Sequence, residues 1–95
     1  MSTEQVFTNM CADAYRDILN KALEERRALV ISTTSCPACT RAKNLLDRNE
    51  VGFKEIFLDR LHENDHEEVT KCVYGDSAAR YVPIIYMDKK RLGGY

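Results

Sequence analysis

Apolar and polar positions change their spacing several times along the chain, and each change marks an element. Over residues 10–27, Tyr15, Ile18, Leu19, Ala22 and Leu23 recur at helical spacing, which predicts an amphipathic helix with those five on its buried stripe. Asp13 and Asp17 lie early in that stretch and Lys21, Arg26 and Arg27 late, the order a helix dipole favours. The continuous apolar run Ala28-Leu29-Val30-Ile31 then predicts a strand covered on both faces. Beyond the polar turn Ser32-Thr33-Thr34-Ser35, Pro37 stands where a helix can begin, and Ala42, Leu45 and Leu46 supply its buried stripe.

Gly52 ends that second helix, and residues 53–58, rich in aromatic and β-branched side chains, predict a second strand. A third helix is expected over residues 65–74, with Asn64 as its cap, Glu67 three positions on and Gly75 just past its end. Val82-Pro83-Ile84-Ile85-Tyr86-Met87 predicts a third strand with proline near its start, where a strand tolerates it. Asp88-Lys89 is a short turn into Lys90-Arg91-Leu92, followed by Gly93-Gly94-Tyr95. The first two strands, joined by a helix, should run parallel and the last two should form a hairpin. The expectation is an α/β fold, a four-stranded mixed sheet flanked by helices.

Composition narrows the classes. With 95 residues and no repeat or linker, residues 1–95 read as a single domain. A chain 44% hydrophobic and 31% charged is globular rather than disordered. Its 14 basic and 15 acidic residues leave a net charge of −1, which argues against nucleic acid or an anionic membrane as partner. No apolar run approaches the roughly 18 residues of a membrane helix. The opening MSTEQVFTNM has neither a basic residue nor a long apolar stretch, so it does not read as a signal peptide. A cytoplasmic location is expected.

The four cysteines carry the chemistry. Cys36-Pro37-Ala38-Cys39 sets two thiols three apart at the mouth of a predicted helix, the pattern of thiol–disulfide exchange. A helix N-terminus offers unpaired N–H groups and about half a positive charge, which should lower Cys36 below the free thiol value of about 8.5. Cys39 lies one turn deeper. The first sulfur attacks a substrate disulfide and the second resolves the mixed disulfide. A structural zinc site is not expected, because Cys11, Cys72, His62 and His66 offer no second close thiol pair. Cys11 and Cys72 each fall on a predicted helix. Both a buried small hydrophobe and regulatory oxidation or an intermolecular disulfide stay open for them.

The strand over residues 29–32, Cys36-Pro37-Ala38-Cys39, the helix after it, Tyr81-Val82-Pro83, the hairpin and Gly93-Gly94 together resemble a glutaredoxin of the dithiol type, in family order across residues 10–95. The resemblance implies a thioredoxin fold and a glutathione-dependent oxidoreductase acting on protein disulfides and glutathione mixed disulfides. Glutathione, or a related low-molecular-weight thiol, would be the reducing co-substrate, and disulfide-containing proteins the partners. It makes Cys36 the nucleophile, Cys39 the resolving thiol and Pro83 the family's cis-proline, with the Val82 backbone pairing with bound ligand. Gly93 and Gly94 would let the γ-glutamyl end of glutathione approach the backbone.

Several positions depart from the family. Thr33 stands where lysine is usual and supplies a hydroxyl but no charge. Arg41 and Lys43 are the candidate electrostatic replacements. Ala38 takes the place of an aromatic residue between the cysteines, and Tyr81, in place of threonine, would restore part of that glutathione-binding surface. Lys89 occupies a turn position that prefers glycine and, with φ above zero, carries about 1–2 kcal/mol of strain. Glu67 and Glu68 either serve their helix dipole or face the site. In the second case they fit a thiol whose carboxylate is replaced by a cation, such as a polyamine conjugate of glutathione. The chain stops at Tyr95, short of the family's last helix: either the protein lacks that element or the chain is a truncated product or an excised domain. The apolar face left uncovered could be covered by a second copy as a homodimer. Two other readings stand beside the enzyme. One is a carrier of a [2Fe-2S] cluster held by Cys36 of two chains and two glutathiones, which Pro37 disfavours. The other is a docking domain whose thiols are spent.

Overall fold

The computed structural model describes residues 6–93. Its centre is the strand β1 (Ala28–Ser32), buried at every residue. β1 pairs in parallel with β2 (Phe53–Phe57) and antiparallel with β3 (Ile84–Met87), and β3 pairs with β4 (Lys90–Gly93), giving the order β2-β1-β3-β4. Three helices cover the sheet: α1 (Asp13–Glu25), α2 (Pro37–Arg48) and α3 (Glu63–Tyr74). Leu19 and Leu23 of α1 and Val69 and Val73 of α3 pack with Leu29, Ile31, Ile84 and Tyr86. Ala28 and Val30, which point the other way, meet Leu46 of α2 and Val51. Cover on both faces is why β1 reads as an unbroken apolar run. This is the mixed α/β sheet expected from the sequence.

The boundaries differ in instructive ways. α1 starts at Asp13, so Cys11 precedes the helix rather than lying on it. Leu19 and Leu23, four apart, face the sheet, while Ile18, about 100° round the axis, is 63% exposed. Leu45 of α2 is turned out for the same reason, at 46% exposure. β2 ends at Phe57, and Leu58–Arg60 winds into a 3-10 turn that buries Leu58 and aims Asp59 back across the sheet edge. α3 begins at Glu63 with His62 at its N-cap, so Asn64 lies inside the helix instead of capping it. Glu63 and Asp65 occupy the first turn, where the dipole favours acid. Glu67 and Glu68 fall one turn later and pair with Lys71 at 3.9 and 3.6 Å.

α3 closes at Gly75, whose φ is +64° and ψ −129°. A Cβ there would only touch the Thr8 side chain, at 3.4 Å, so it is the positive φ that selects glycine. The Val82-Pro83 peptide is cis. In the β3–β4 turn Asp88 and Lys89 both have positive φ, 53° and 63°, the two-residue turn whose twist matches a hairpin. Arg27 braces it through a salt bridge to Asp88 at 3.0 Å.

Candidate active site

β1 and β2 run parallel, so the segments that leave their C-terminal ends meet at one edge of the sheet. Ser32 is register partner of Phe57. Thr33 and Thr34 therefore come alongside Leu58 and Asp59. The Thr34 amide donates to both Asp59 carboxylate oxygens, at 3.1 and 3.2 Å, and the Thr34 hydroxyl donates to the same group. Those bonds, the hydroxyl first, hold the Asp59 carboxyl below its ordinary range. Asp59 thereby pins the loop that delivers Cys36.

Cys36 is the N-cap of α2, with extended backbone, and Pro37 follows at the first helical position. The Cys39 amide donates to the Cys36 sulfur at 3.1 Å. A free N–H of the helix end thus points at the sulfur, and the helix dipole adds positive potential there, which favours the thiolate once the pair is reduced. Cys36 is half-buried and reachable, whereas Cys39 is 1% exposed. The two form a disulfide, with Cα atoms 5.2 Å apart. Ala38 lies half-buried in the first turn between them.

Thr33 and Val82 line a cavity of about 190 Å³ together with Asp59, His66, Tyr74 and Arg80. Tyr81 is 54% exposed beside it, and its carbonyl accepts a 2.6 Å hydrogen bond from the Tyr74 hydroxyl. Burial raises the Tyr74 phenol above its usual value. Pro83 is fully buried. Gly93 is the last residue of β4, opposite Ile85 at a bulge in the ladder. Gly94 lies outside the described residues. Lys43 turns away from the cavity: its ammonium bonds Glu55 at 2.8 Å and sits 5.2 Å from the Phe57 ring centroid. The same Glu55 oxygen accepts from the buried Ser32 hydroxyl at 2.6 Å. The charge on Lys43 is therefore engaged in binding α2 to the sheet.

Neither Asp59 nor Arg80 is assigned a role at this cavity from the sequence, and His66 is weighed only for the zinc site that is set aside. Asp59 had a legible signal, an acidic residue just past a strand parallel to the one that leads into the cysteine loop. Arg80 had one too, as the basic residue two positions ahead of Val82. His66 had none, because its place at the cavity depends on how α3 rotates. Among the described residues, no group of three His, Cys, Asp or Glu side chains is placed to hold a metal ion.

Comparison with known proteins agrees with this geometry. The family profile described as Glutaredoxin matches residues 28–92. Glutaredoxin 1 of Rickettsia prowazekii is 35% identical over 66 residues, 70% of this chain and 66% of that protein, so the match spans about two thirds of the relative's length. A glutaredoxin from Archaeoglobus fulgidus superposes with a TM-score of 0.66 at 27% identity, over 79% of this chain and 82% of its own. A buckwheat glutaredoxin–glutathione complex gives 0.67 at 26% identity, over 82% and 69%. With a cysteine pair at a helix mouth, a cis Val82-Pro83 step and a matching profile over residues 28–92, the chain belongs to the glutaredoxin family of thiol–disulfide oxidoreductases.

Proposed function

We propose that this chain reduces protein disulfides and glutathione mixed disulfides at Cys36 and Cys39, with glutathione as the electron donor. The observation that carries the reading is the Cys36 sulfur capping α2, bonded by the Cys39 amide, with the buried Cys39 sulfur within bonding reach. In the reduced pair, the Cys36 thiolate attacks a substrate disulfide and expels one thiolate, leaving a mixed disulfide on Cys36. Cys39 or glutathione then attacks that bond. Two glutathiones restore the dithiol and leave as glutathione disulfide, so both electrons are accounted for.

The cavity beside Thr33 is the proposed seat for glutathione. Val82 offers backbone N–H and C=O to an extended peptide, in the manner of an added strand. With threonine at position 33 and Lys43 bonded to Glu55, Arg80 is the guanidinium that takes the ligand carboxylate. The buckwheat protein solved with glutathione is similar to this chain in fold, which supports the choice of thiol. A reducing cytoplasm is the compartment this cycle requires. The cluster-carrying alternative leaves Cys39 idle, whereas here Cys39 is bonded to Cys36.

The test is glutathione-dependent reduction of the mixed disulfide of glutathione and 2-mercaptoethanol by wild type, Cys36→Ser and Cys39→Ser. Wild type should be active, Cys36→Ser inactive, and Cys39→Ser active through one thiol. Arg80→Ala should raise KM about tenfold or more, the cost of one charge-assisted bond. An inactive wild type whose Cys36 alkylates rapidly would exclude glutathione as the donor.

A further inference from the structure

The remaining cysteines form a disulfide of their own, Cys11–Cys72, which spans 61 residues. Neither cysteine is a free buried thiol and neither pairs with a second chain, since each sulfur finds its partner within this one. Cys11 is 5% and Cys72 0% exposed. Residues 6–12 form a strap that this bond fastens across the end of α3. The Thr8 amide donates to the Cys72 carbonyl at 2.9 Å, and the Thr8 hydroxyl donates to the Lys71 carbonyl. The Arg16 guanidinium donates to the Thr8 and Cys11 carbonyls, both at 3.1 Å. Phe7 of the strap is buried with its ring centroid 5.0 Å from that of Tyr86.

Two residues past Cys72, Tyr74 reaches the active site. Its hydroxyl holds the Tyr81 carbonyl at 2.6 Å, next in the chain to Val82, and Tyr74 and Val82 line the same cavity as Thr33. The contacts run without a gap from disulfide to α3 turn, to Tyr74, to the segment that receives ligand. We propose that Cys11–Cys72 is a second thiol–disulfide couple, separate from the catalytic pair, which sets through Tyr74 how firmly the site holds a glutathione moiety. The proposal rests on the glutathione-binding reading above. A soluble dithiol reduces the couple: one thiolate attacks a sulfur and breaks the bond, and the second thiol of the reagent displaces the resulting mixed disulfide. Cys11 and Cys72 end as thiols, carrying two electrons and two protons, and the reagent ends as its cyclic disulfide. Both sulfurs are buried, so attack waits on the strap lifting, and the couple responds more slowly than Cys36. Once it is open, the turn carrying Tyr74 loses its covalent anchor. Tyr74 is a positioning residue in this scheme.

The experiment measures the equilibrium constant for glutathionylation of Cys36 in a Cys39→Ser background, by mass spectrometry at fixed ratios of glutathione to its disulfide. Adding Cys11→Ser/Cys72→Ser should weaken the Cys36–glutathione adduct three- to tenfold, and adding Tyr74→Phe should do the same with the disulfide intact. The combined variant should be no weaker than the weaker of the two. The rate of Cys36 alkylation by iodoacetamide should stay within twofold in all of them, which general loosening of the fold would not allow. If the serine pair does not fold, Cys11→Ala/Cys72→Ala takes its place in the same comparison, since Tyr74→Phe tests only the Tyr74 half of the coupling. An unchanged adduct constant in Tyr74→Phe, or strictly multiplicative effects, overturns the coupling. Adduct formation without turnover in wild type would sink the enzymatic reading and leave the coupling to be judged by its own constants. No adduct at all would sink both.

Discussion

The Asp59 carboxylate holds the Thr34 amide and hydroxyl two residues ahead of Cys36. The sign of its pH dependence follows from the bonds. In the folded chain the carboxyl lies below the 3.8 of an unperturbed aspartate, so the clamp contributes fully above that value and is lost as pH falls through the lower folded one. Carbon-detected titration should find the Asp59 midpoint under 3.8, and Asp59→Asn should speed hydrogen exchange at the Thr34 amide. A midpoint at or above 3.8 would contradict the clamp. Tyr86 shows the opposite case. It is fully buried, and its hydroxyl makes no hydrogen bond of good geometry among the described residues, although the Arg91 guanidinium lies 5.9 Å from its ring centroid. Burial, opposed by that cation, pushes its phenol up to about 12. The unfolded phenol ionises near 10, so stability is lost as pH rises from about 10 through about 12. Tyr86→Phe removes the orphaned hydroxyl and should stabilise the fold by about 1 kcal/mol, seen as a rise in Tm of roughly 4–8 °C. A fall in Tm would show that the hydroxyl finds a partner.

Turns and helix ends set the limits of the elements. The β3–β4 turn keeps Lys89 at φ 63°, a conformation that costs a side-chain-bearing residue about 1–2 kcal/mol and glycine nothing. Lys89→Gly should therefore raise stability by about 0.5–1 kcal/mol after the greater entropy of an unfolded glycine is counted, measured by urea titration with an unchanged slope. Gly75 is the reverse: its φ of +64° and ψ of −129° suit glycine and strain any residue with a Cβ. Gly75→Ala should cost about 1–3 kcal/mol in the same titration. A neutral Gly75→Ala would mean the turn after α3 relaxes out of its positive φ at no cost. α2 presents the clearest coupling of element to chemistry. Cys36 caps the helix with its sulfur, so the group that closes the helix end is also the proposed nucleophile.

On the scale of the whole chain, a domain of this size keeps only about 5–15 kcal/mol of net stability. Closing a loop of 61 residues removes unfolded-state entropy worth about 4 kcal/mol in the chain-entropy model. The Cys11–Cys72 bond is therefore a large share of what holds the fold. Cys11→Ser/Cys72→Ser should lower Tm by well over 10 °C under oxidising conditions, and excess dithiol should bring wild type down toward it. A Tm indifferent to both would show that the strap is held by its hydrogen bonds and by Phe7 alone.

Local pattern was enough for the architecture and for the meeting of Cys36 and Cys39. β1 is legible because four of its five buried residues, Ala28 to Ile31, form an unbroken apolar run, and α2 because Pro37 and the spacing of Ala42 and Leu46 are properties of nearby residues. Cys36 and Cys39 are three apart, so one helix turn settles their meeting. What local pattern could not settle was distance in space. Whether Lys43 faces the ligand or Glu55 depends on the packing of α2 on β2, and the packing chose Glu55. Asp59, Arg80 and Thr33 converge only because two parallel strands end at one edge and α3 closes over it. Cys11 and Cys72 are individually unremarkable positions. Their bond exists because the strap crosses α3 where both sulfurs are buried, a relation over 61 residues that no periodicity records.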